Sequence, residues 1–429
     1  MVAGNTLIIE GTAGRQVING SIRVNGSKND AVQAIASSFL FKNGLTLTNL
    51  PAIDDVQKML LLAEGLGARI ERHGRQTMIA APKRLSIRRG ELDSAIAEKI
   101  RASILLTGPL IARYGSVTFP HPGGCVIGER PIDFFLAGFT RMGASVKGRR
   151  GSYVVSAPRR GLRGAAIFFK NQSVTATETF LMAAVLARGR TSLKNCALEP
   201  EITNLGRFLR RAGAEISGLG TPTIVVNGRG LLIADRPYQV LPDRIEAGSF
   251  AILGALLAKE LRITHCRPQH LEALLNLLIE LGAKVKSHRD LIIISAPQSR
   301  LRAVKIKTHE YPGFPTDLQA PLAILLTQAY GASVILETIF EGRLNYAKTL
   351  ISMGAKIKIF DPHRLAIVGP TPLVGREVTS PDLRAGLAYL LAGLVAKGRT
   401  VVHNVHYIDR GYERIDERLG TLGLELKRF

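Results

Sequence analysis

One glycine-centred motif occurs six times in this chain of 429 residues. The clearest copies read RMGASVKG, RAGAEISG, ELGAKVKS and SMGAKIKI, and the six central glycines stand at positions 67, 143, 213, 282, 354 and 423. Self-similarity at such a spacing is typical of one supersecondary unit that is stacked several times. The repeat constrains the fold more than any other feature, because every element assigned to one copy must fit the others.

Each copy of the repeat predicts the same order of elements. An apolar-periodic helix such as 271–282 ends at the central glycine, a common C-terminal stop, and two strands follow it. An earlier helix in each copy, for example 382–396, is apolar nearly all round, which is typical of a buried helix. We therefore predict an α/β (α+β) fold of six strand-helix-strand-helix-strand-strand units, with buried helices inside and sheets outside.

The composition limits the class of protein. Hydrophobic residues make up 46% of the chain, enough for sizeable cores. The longest uncharged run, 318–336, is interrupted by polar residues, proline and glycine, and predicts a buried helix and a strand instead of a membrane span. The formal net charge of +23 favours an anionic partner such as nucleic acid, lipid headgroups or a phosphorylated substrate, or reflects a generally basic proteome.

The three cysteines, Cys125, Cys196 and Cys266, form no CxxC pair, and their odd number argues against a disulfide framework or a zinc site. We expect a reducing, cytoplasmic location. Cys125 lies in the stretch FPHPGGCVIGERP, whose glycines and prolines predict an exposed, hinged loop. The loop alone leaves packing and chemistry equally open for this residue. Cys196 and Cys266 are expected to be core residues.

Polar and charged residues recur where the six buried helices begin. They are Lys28 and Asn29, Arg101, Ser173, Asp243 and Arg244, Asp317, and Asp382 and Arg384. Ser173 and the three aspartates are also ordinary helix N-caps. A cap does not explain Lys28, Arg101 or Arg244, because a positive charge opposes the dipole at this end of a helix. Cations beside free backbone N–H groups predict a site for an anionic ligand.

A second group of candidate residues lies in the loops that follow the next strand of the repeat. It comprises Cys125 and Arg130, Glu199 and Glu201, Glu341 and Arg343, and Arg410. Their recurrence at one place in the unit makes them candidate functional residues.

Nine stretches of the sequence resemble the enolpyruvyl transferase family, in particular its members that act on UDP-N-acetylglucosamine. They are GSKND, IRASILLTGPLIARYG, PGGCVIGERPID, EPEI, LPDRIEAGSF, FPTDLQA, ETIFEGR, SPDLRAG and IDRGYERI, in the family order over nearly the whole chain. The resemblance implies a two-domain inside-out barrel with three repeat units in each domain. It assigns residues 28–241 to one domain, residues 1–27 and 242–429 to the other, and the active site to the cleft between them.

The resemblance also implies an activity. The enolpyruvyl group of phosphoenolpyruvate passes to the 3′-hydroxyl of UDP-N-acetylglucosamine and phosphate is released, which is the first committed step of peptidoglycan synthesis. Cys125 corresponds to the family's general acid toward C3 of phosphoenolpyruvate, and Asp317 to the aspartate that engages the 3′-hydroxyl. The residues that hold phosphoenolpyruvate correspond to Lys28, Asn29, Arg130 and Arg410. No metal or organic cofactor is implied, because phosphate is already an activated leaving group.

Further implied contacts involve the nucleotide sugar. They fall on Arg101, Arg130, Pro131, Ile132, Asp133, Phe134, Asn171, Gln172, Ser173, Val174, Asp317 and Ile339. The residues expected to line the cleft are Asp243, Arg244, Glu341, Arg343, Asp382 and Arg384. The expected partners are the two small-molecule substrates, without a membrane or a nucleic acid.

The chain departs from the family pattern at a few positions. Ser27 and Asp30 stand where small apolar residues are usual, and Gly342, Leu344 and Tyr346 replace the usual Asn, Phe and His. These changes leave open a divergent paralogue with another acceptor.

Three rival functions make different demands on the sequence. The related transferase that acts on shikimate 3-phosphate lacks the PGGC loop. A nucleic-acid-binding protein of a related repeat fold would present a basic face with stacking aromatics, and the sequence shows no such aromatics. A catalytically inert paralogue would be expected to have lost Cys125 or Asp317.

If Cys125 is a reactive acid, it will be alkylated well before Cys196 and Cys266. Cys125→Ser is expected to lose most activity, because a hydroxyl is a far weaker acid, whereas Cys125→Asp keeps a suitable proton donor. The resemblance also implies inactivation by the epoxide antibiotic fosfomycin, which the Asp variant is expected to escape. The activity of the wild-type protein and of both variants is measured as phosphate release from phosphoenolpyruvate. Wild-type turnover by Cys125→Ser would refute the catalytic role, since packing alone favours serine over aspartate.

Overall fold

A computed structural model describes residues 4–74, 76–86, 90–124, 127–128, 130–149, 151–297 and 300–429. These residues form two compact units. Unit 1 contains residues 4–25, 127–128 and 242–429, and unit 2 contains residues 26–124 and 130–241. Unit 1 is thus built from both ends of the chain.

Most of the α-helices alternate along the chain between buried ones and ones with an exposed face. In order they are α1 (Lys28–Ser37), α2 (Asp54–Gly65), α3 (Ser94–Ala97), α4 (Thr107–Tyr114), α5 (Asp133–Arg141), α6 (Val174–Leu186), α7 (Pro200–Arg211), α8 (Arg244–Leu257), α9 (Glu272–Leu281), α10 (Gln319–Thr327), α11 (Ala347–Ser352), α12 (Leu383–Val395), α13 (His406–Asp409) and α14 (Ile415–Gly420). Short 3₁₀ turns lie at Ser38–Leu40, Arg101–Leu106, Pro268–His270, Thr316–Leu318 and Arg343–Tyr346. None of the described helices is long and apolar enough to cross a membrane.

The strands are short, with buried and exposed residues alternating along many of them. In chain order they are β1 (Thr6–Glu10), β2 (Ile18–Arg23), β3 (Leu45–Thr48), β4 (Arg69–His73), β5 (Gln76–Ala80), β6 (Ser116–Pro120), β7 (Ser145–Arg149), β8 (Ser152–Ser156), β9 (Ala166–Phe168), β10 (Arg190–Lys194), β11 (Glu215–Ser217), β12 (Thr223–Asn227), β13 (Tyr238–Gln239), β14 (Ala258–Thr264), β15 (Lys284–Ser287), β16 (Leu291–Ser295), β17 (Lys305–Lys307), β18 (Gly331–Leu336), β19 (Lys356–Asp361), β20 (Arg364–Gly369), β21 (Glu377–Thr379), β22 (Arg399–His403) and β23 (Leu426–Arg428).

Among the described residues, five of the six sheets share one arrangement of four strands. A parallel pair is followed by two antiparallel neighbours, as in β9-β10-β12-β11 and β17-β18-β20-β19. In both examples a buried helix joins the parallel pair, which needs such a crossover. The three-stranded sheet β6-β8-β7 has an isolated parallel bridge, Glu91 to Thr118, where the others have a further strand. The predicted unit is confirmed.

Three sheets complete this arrangement with a strand from a distant part of the chain. In unit 2, β13 lies parallel to β3. In unit 1, β2 lies parallel to β14, and β1 runs antiparallel between β22 and β23. The sequence pattern did not predict these exchanges, because a strand has the same alternating pattern whichever sheet it joins.

The apolar helices form the core of each unit. In unit 2, α4 packs on α6, and both contact the 3₁₀ turn 101–106. In unit 1, α8, α10 and α12 pack on one another, and all residues of α12 are buried. The prediction that these helices lie inside is confirmed.

Two of the predicted buried helices begin as 3₁₀ turns. The stretch 101–114 becomes α-helical only at Thr107, and α10 only at Gln319. In each case a proline, Pro109 or Pro321, occupies the third helical position. Proline cannot donate to the carbonyl four residues earlier and fits only in the first turn of an α-helix. The prolines therefore fix where these helices start.

Gly108 and Gly65 provide a matched test of the packing of α4 on α6. A Cβ atom at Gly108 would lie 2.3 Å from the backbone oxygen of Thr179 in α6. Gly108→Ala is expected to lower the free energy of unfolding by about 1–3 kcal/mol, the usual cost of overpacking. Gly65→Ala meets no atom within 4 Å and is expected to be neutral or stabilising. Equal losses for both variants in urea unfolding would contradict the close approach.

Candidate active site

Asp317 lies in unit 1 between two buried arginines. It belongs to the 3₁₀ turn that leads into α10. Its Oδ1 accepts a hydrogen bond from Nη2 of Arg343, and its Oδ2 accepts one from Nη2 of Arg384, each at 2.7 Å. The arginine side chains are 5% and 8% exposed, against 26% for Asp317. The carboxylate is thus fixed at both oxygens but remains partly accessible. We call these three residues the Asp317 cluster.

Arg384 is also held from its other side. Its Nη1 donates to Oη of Tyr412 at 3.1 Å, and that hydroxyl lies 2.9 Å from Oγ of Ser249 in α8. Burial is the largest single effect and lowers the pKa of Arg384, but Asp317, Tyr412 and Asp243 together outweigh it and raise the pKa above its ordinary value. Arg384 therefore stays charged, and the Asp317 cluster carries a net positive charge.

Glu337, a buried carboxylate that the sequence analysis did not single out, shapes the loop 337–343. Its Oε1 accepts the backbone N–H groups of residues 339 and 340 at 2.8 and 3.2 Å. Its Oε2 accepts a bond from Oγ1 of Thr316 at 2.8 Å, and Thr316 in turn accepts one from Nε of Arg343 at 3.2 Å. Glu337 thereby links this loop to the turn before α10. The one sequence feature that pointed to Glu337 is its position as the first residue of the motif ETIFEGR.

Three of the polar residues at helix starts are N-caps. Asp243 accepts two backbone N–H groups of α8, at 2.8 and 3.1 Å. Asp382 accepts two of α12, at 2.8 and 3.2 Å, and Ser173 accepts one of α6, at 3.3 Å. The N-cap interpretation is confirmed for these residues. Asp317 differs, because both of its oxygens bind arginine side chains.

Ile127 and Gly128, from the PGGCVIGERPID stretch, lie against the loop 337–343 of unit 1. The carbonyl of Ile127 accepts the N–H of Gly342 at 3.0 Å. Gly128 has a φ of +132°, and a Cβ atom there would lie 2.6 Å from the carboxyl group of Glu341. Glycine is therefore required at this contact. Cys125 lies outside the described residues, so its catalytic role stays a prediction.

Arg101 and Arg130 lie close together in unit 2. A Cβ atom at Gly124 would be 2.7 Å from Nη2 of Arg130 and 3.2 Å from Cβ of Arg101. Arg101 also donates to the carbonyl of Pro131 at 3.4 Å. Burial, and then the neighbouring Arg130 guanidinium, lowers the pKa of Arg101 to about 10. Since two cations that repel each other are stabilised by a bound anion, this pair favours an anionic ligand.

Lys28 and Asn29 open helix α1 in unit 2. The Nζ of Lys28 forms an ion pair with Oδ2 of Asp55 in α2 at 2.8 Å. The Asp55 side chain is 3% exposed and that of Lys28 17%. A buried carboxylate thus offsets the unfavourable charge at this helix start, and the cation is the outer member of the pair.

The remaining predicted residues lie at helix starts and in loops of the two units. In unit 2, Pro131, Ile132, Asp133 and Phe134 lead into α5, and Asn171, Gln172, Ser173 and Val174 lead into α6. In unit 1, Arg244 opens α8 with its guanidinium 5.6 Å from the ring centre of Tyr311, Ile339 and Glu341 follow β18, and the buried Arg410 follows α13. Within the described residues, no group of three or more His, Cys, Asp or Glu side chains is placed to hold a metal ion.

Cys196 and Cys266 are free and completely or almost completely buried. Burial raises the pKa of each thiol to about 11. Their predicted role as core residues is confirmed.

The two units therefore offer different chemical groups. Unit 1 holds a fixed carboxylate that can orient and accept a proton from a hydroxyl group. Unit 2 holds Lys28, Arg101 and Arg130, whose charges suit a phosphate or carboxylate group. The group in unit 1 thus suits a hydroxyl compound, and the groups in unit 2 suit a phosphorylated anion.

Comparisons with known proteins match the chain over almost its whole length. The sequence model of a family described as EPSP synthase (3-phosphoshikimate 1-carboxyvinyltransferase) matches residues 12–419. A Koribacter versatilis protein named UDP-N-acetylglucosamine 1-carboxyvinyltransferase is 42% identical over 415 residues, which are 96% of this chain and 94% of that protein. A Helicobacter pylori protein of the same name is 40% identical over 417 residues, 97% and 98% of the two chains. The crystal structure of the enolpyruvyl transferase NikO from Streptomyces tendae is similar with a TM-score of 0.88 and 26% identity, and the match covers 99% of both chains.

Asp317→Ala would leave Arg343 and Arg384 buried without their shared carboxylate. The free energy of unfolding is expected to fall by about 3 kcal/mol, the lower end for a broken buried pair, because Asp317 is partly exposed. Glu10→Ala is the control: it breaks the ion pair with Arg399, whose two side chains are 41% and 66% exposed. That loss is expected to stay below about 1 kcal/mol. Similar losses for the two variants in urea unfolding would show that the Asp317 cluster does not stabilise the fold.

Proposed function

Since this chain belongs to the EPSP synthase family of 1-carboxyvinyltransferases, we propose that it transfers the enolpyruvyl group of phosphoenolpyruvate to the 3′-hydroxyl of UDP-N-acetylglucosamine and releases phosphate. This reaction opens peptidoglycan synthesis. The observation in the structure that carries the proposal is the Asp317 cluster. A carboxylate that buried cations fix at both oxygens suits the orientation of one hydroxyl group beside an anionic co-substrate.

The choice of acceptor rests on the relatives. The family description names 3-phosphoshikimate, whereas relatives that are 42% and 40% identical over nearly the full chain are named for UDP-N-acetylglucosamine. The PGGC loop at residues 122–125 supports the same choice.

The proposed reaction is an addition followed by an elimination. In the addition, the 3′-oxygen bonds to C2 of phosphoenolpyruvate, the hydroxyl loses its proton, and C3 gains a proton and becomes a methyl group. In the elimination, C3 loses a proton while the bond between C2 and the phosphate oxygen breaks. The products are the enolpyruvyl ether and phosphate.

We assign the steps to residues in both units. In the addition, Asp317 orients the 3′-hydroxyl and accepts its proton, and Cys125 gives a proton to C3. In the elimination, the Cys125 thiolate takes a proton back from C3, and the proton held by Asp317 leaves with the phosphate. The cations that hold the carboxylate and phosphate groups of phosphoenolpyruvate are Lys28, Arg130 and Arg410, with Asn29 beside them. Their positive charge also stabilises the negative charge of the tetrahedral intermediate.

The nucleotide sugar is assigned to the starts of α5 and α6 in unit 2. Residues 131–134 and 171–174 supply this contact together with Arg101, and Ile339 adds a contact from unit 1. The low pKa of Arg101 supports an anionic group such as the diphosphate there. We also propose a cytoplasmic location, since the two described cysteines are free, as expected in a reducing compartment.

Phosphate release from phosphoenolpyruvate is expected only when UDP-N-acetylglucosamine is also present, because the sugar supplies the nucleophile. A coupled phosphate assay with each substrate alone, and with both, tests this. Shikimate 3-phosphate in place of the nucleotide sugar is the control acceptor and is expected to give no release. Release with shikimate 3-phosphate and none with UDP-N-acetylglucosamine would refute the proposed acceptor.

A further inference from the structure

Ser27, the N-cap of α1, and Asp30, in the first turn of α1, hold Leu241, the last residue of unit 2. The carbonyl of Leu241 accepts the backbone N–H of Ser27 at 2.6 Å. The N–H of Leu241 donates to Oδ2 of Asp30 at 2.7 Å. Ser27 and Asp30 stand on either side of Lys28 and Asn29 in the sequence. Both backbone groups of Leu241 are therefore tied to the turn that presents these two residues, at the point where the chain leaves unit 2.

The Asp30 side chain accepts four hydrogen bonds although it is completely buried. Besides Leu241, its Oδ2 accepts a bond from Nδ2 of Asn204 in α7 at 2.9 Å. Its Oδ1 accepts one from Nε2 of Gln33 at 2.7 Å and one from Oη of Tyr238 in β13. A carboxylate has about four lone-pair sites, so all of them are used here. One side chain thereby joins α1, α7, β13 and the end of the unit.

The ionisable groups that act on the pKa of Asp30 include Tyr238 and Glu201. The pKa of Asp30 is raised to about 7, chiefly by burial and also by the charge of Glu201, although the bonds from Tyr238, Leu241 and Gln33 act to lower it. Asp30 also interacts with the carboxyl group of Glu178 in α6, whose pKa is raised well above its ordinary value by burial and by the charges of Glu201, Glu199 and Asp30. The groups that favour the charged form of Asp30 are thus hydrogen-bond donors, and its ionisation depends on their position.

We propose that Asp30 is a positioning residue, whose carboxylate fixes the first turn of α1 to Leu241 and so sets the place of Lys28 and Asn29 for binding the anionic co-substrate. This role rests on the function proposed above, in which these two residues hold phosphoenolpyruvate. Asp30 acts through the helix turn that it shares with them. Asp55, which forms an ion pair with Lys28, lies in a different helix and offsets the charge of the ammonium group.

Two substitutions at Asp30 separate this role from a general loss of stability. Asp30→Ala removes all four acceptor bonds and is expected to raise the KM for phosphoenolpyruvate at least about tenfold, because a misplacement of about 1 Å can cost 10²-fold. The KM for UDP-N-acetylglucosamine is expected to change little. Asp30→Asn keeps an oxygen for Leu241 and Asn204, its amide can donate to the oxygen of Tyr238, and the bond from Gln33 is lost. It is therefore expected to restore most of the affinity for phosphoenolpyruvate.

Leu193→Ala is the control for stability. Leu193 is completely buried in β10 of the same unit, and its truncation destabilises the fold by leaving a cavity. Its KM for phosphoenolpyruvate is expected to stay at the wild-type value when every variant is assayed below its unfolding temperature. The rate of hydrogen exchange at the Leu241 amide measures the strength of its hydrogen bond to Asp30 independently of enzyme activity. This exchange is expected to be faster in Asp30→Ala than in Asp30→Asn.

Several outcomes would overturn the role of Asp30. One is a KM for phosphoenolpyruvate in Asp30→Ala that equals that of Leu193→Ala. Another is unchanged exchange of the Leu241 amide, and a third is an equal rise in the KM for both substrates. A wild-type protein that releases no phosphate from the two substrates would instead refute the proposed function, and with it the role assigned to Asp30.

Discussion

The rest of the structure depends on the burial of helices that are apolar on every side. Such a helix has no face for water and must be enclosed by its neighbours. In unit 1, α8, α10 and α12 enclose one another, and strands of the sheets cover them. Charged groups can then be placed only at the helix ends. For this reason Asp243, Asp317 and Asp382 all lie at or just before helix starts, where free N–H groups and arginines can hold them.

The repeated unit could be predicted from the sequence because its signals are local. Every copy carries a glycine stop, an amphipathic helix and an apolar helix, and each of these can be recognised within about 15 residues. The exchange of β13, β1 and β2 into distant sheets could not be predicted. The pairing of Tyr238 with Leu47, for example, is not indicated by the sequence around either residue. Pro109 and Pro321 indicate locally that the α-helices start later than Arg101 and Thr316. This indication was missed because the apolar periodicity continues through the preceding 3₁₀ turns.

Some residues of the candidate site could likewise be predicted from the sequence, and others could not. Asp317, Arg343 and Arg384 were predicted because each lies in a stretch that resembles a known family, and the structure brings them together. Asp30 and Glu337 were not predicted as important, because the sequence around a polar residue does not show which groups it will bind in the folded chain. Their partners are Leu241 and Tyr238 for Asp30, and backbone groups near residue 340 for Glu337. Only the folded chain supplies these donors, and a buried carboxylate without them would be strongly unfavourable.

The Lys28–Asp55 pair of unit 2 and the Asp317 cluster of unit 1 are arranged in opposite ways, and the proposed chemistry explains why. In the pair of Lys28 with Asp55 the carboxylate is the deeper member, at 3% exposed against 17%. In the Asp317 cluster the arginines are the deeper members, and the carboxylate is 26% exposed. In each case the buried partner fixes the charge and orientation of the more accessible group. The accessible group is a cation where an anion is to be bound, and a carboxylate where a hydroxyl is to be oriented. A single isolated charge at either place would be solvated and mobile, whereas pairing it with a buried partner holds it ready for the substrate.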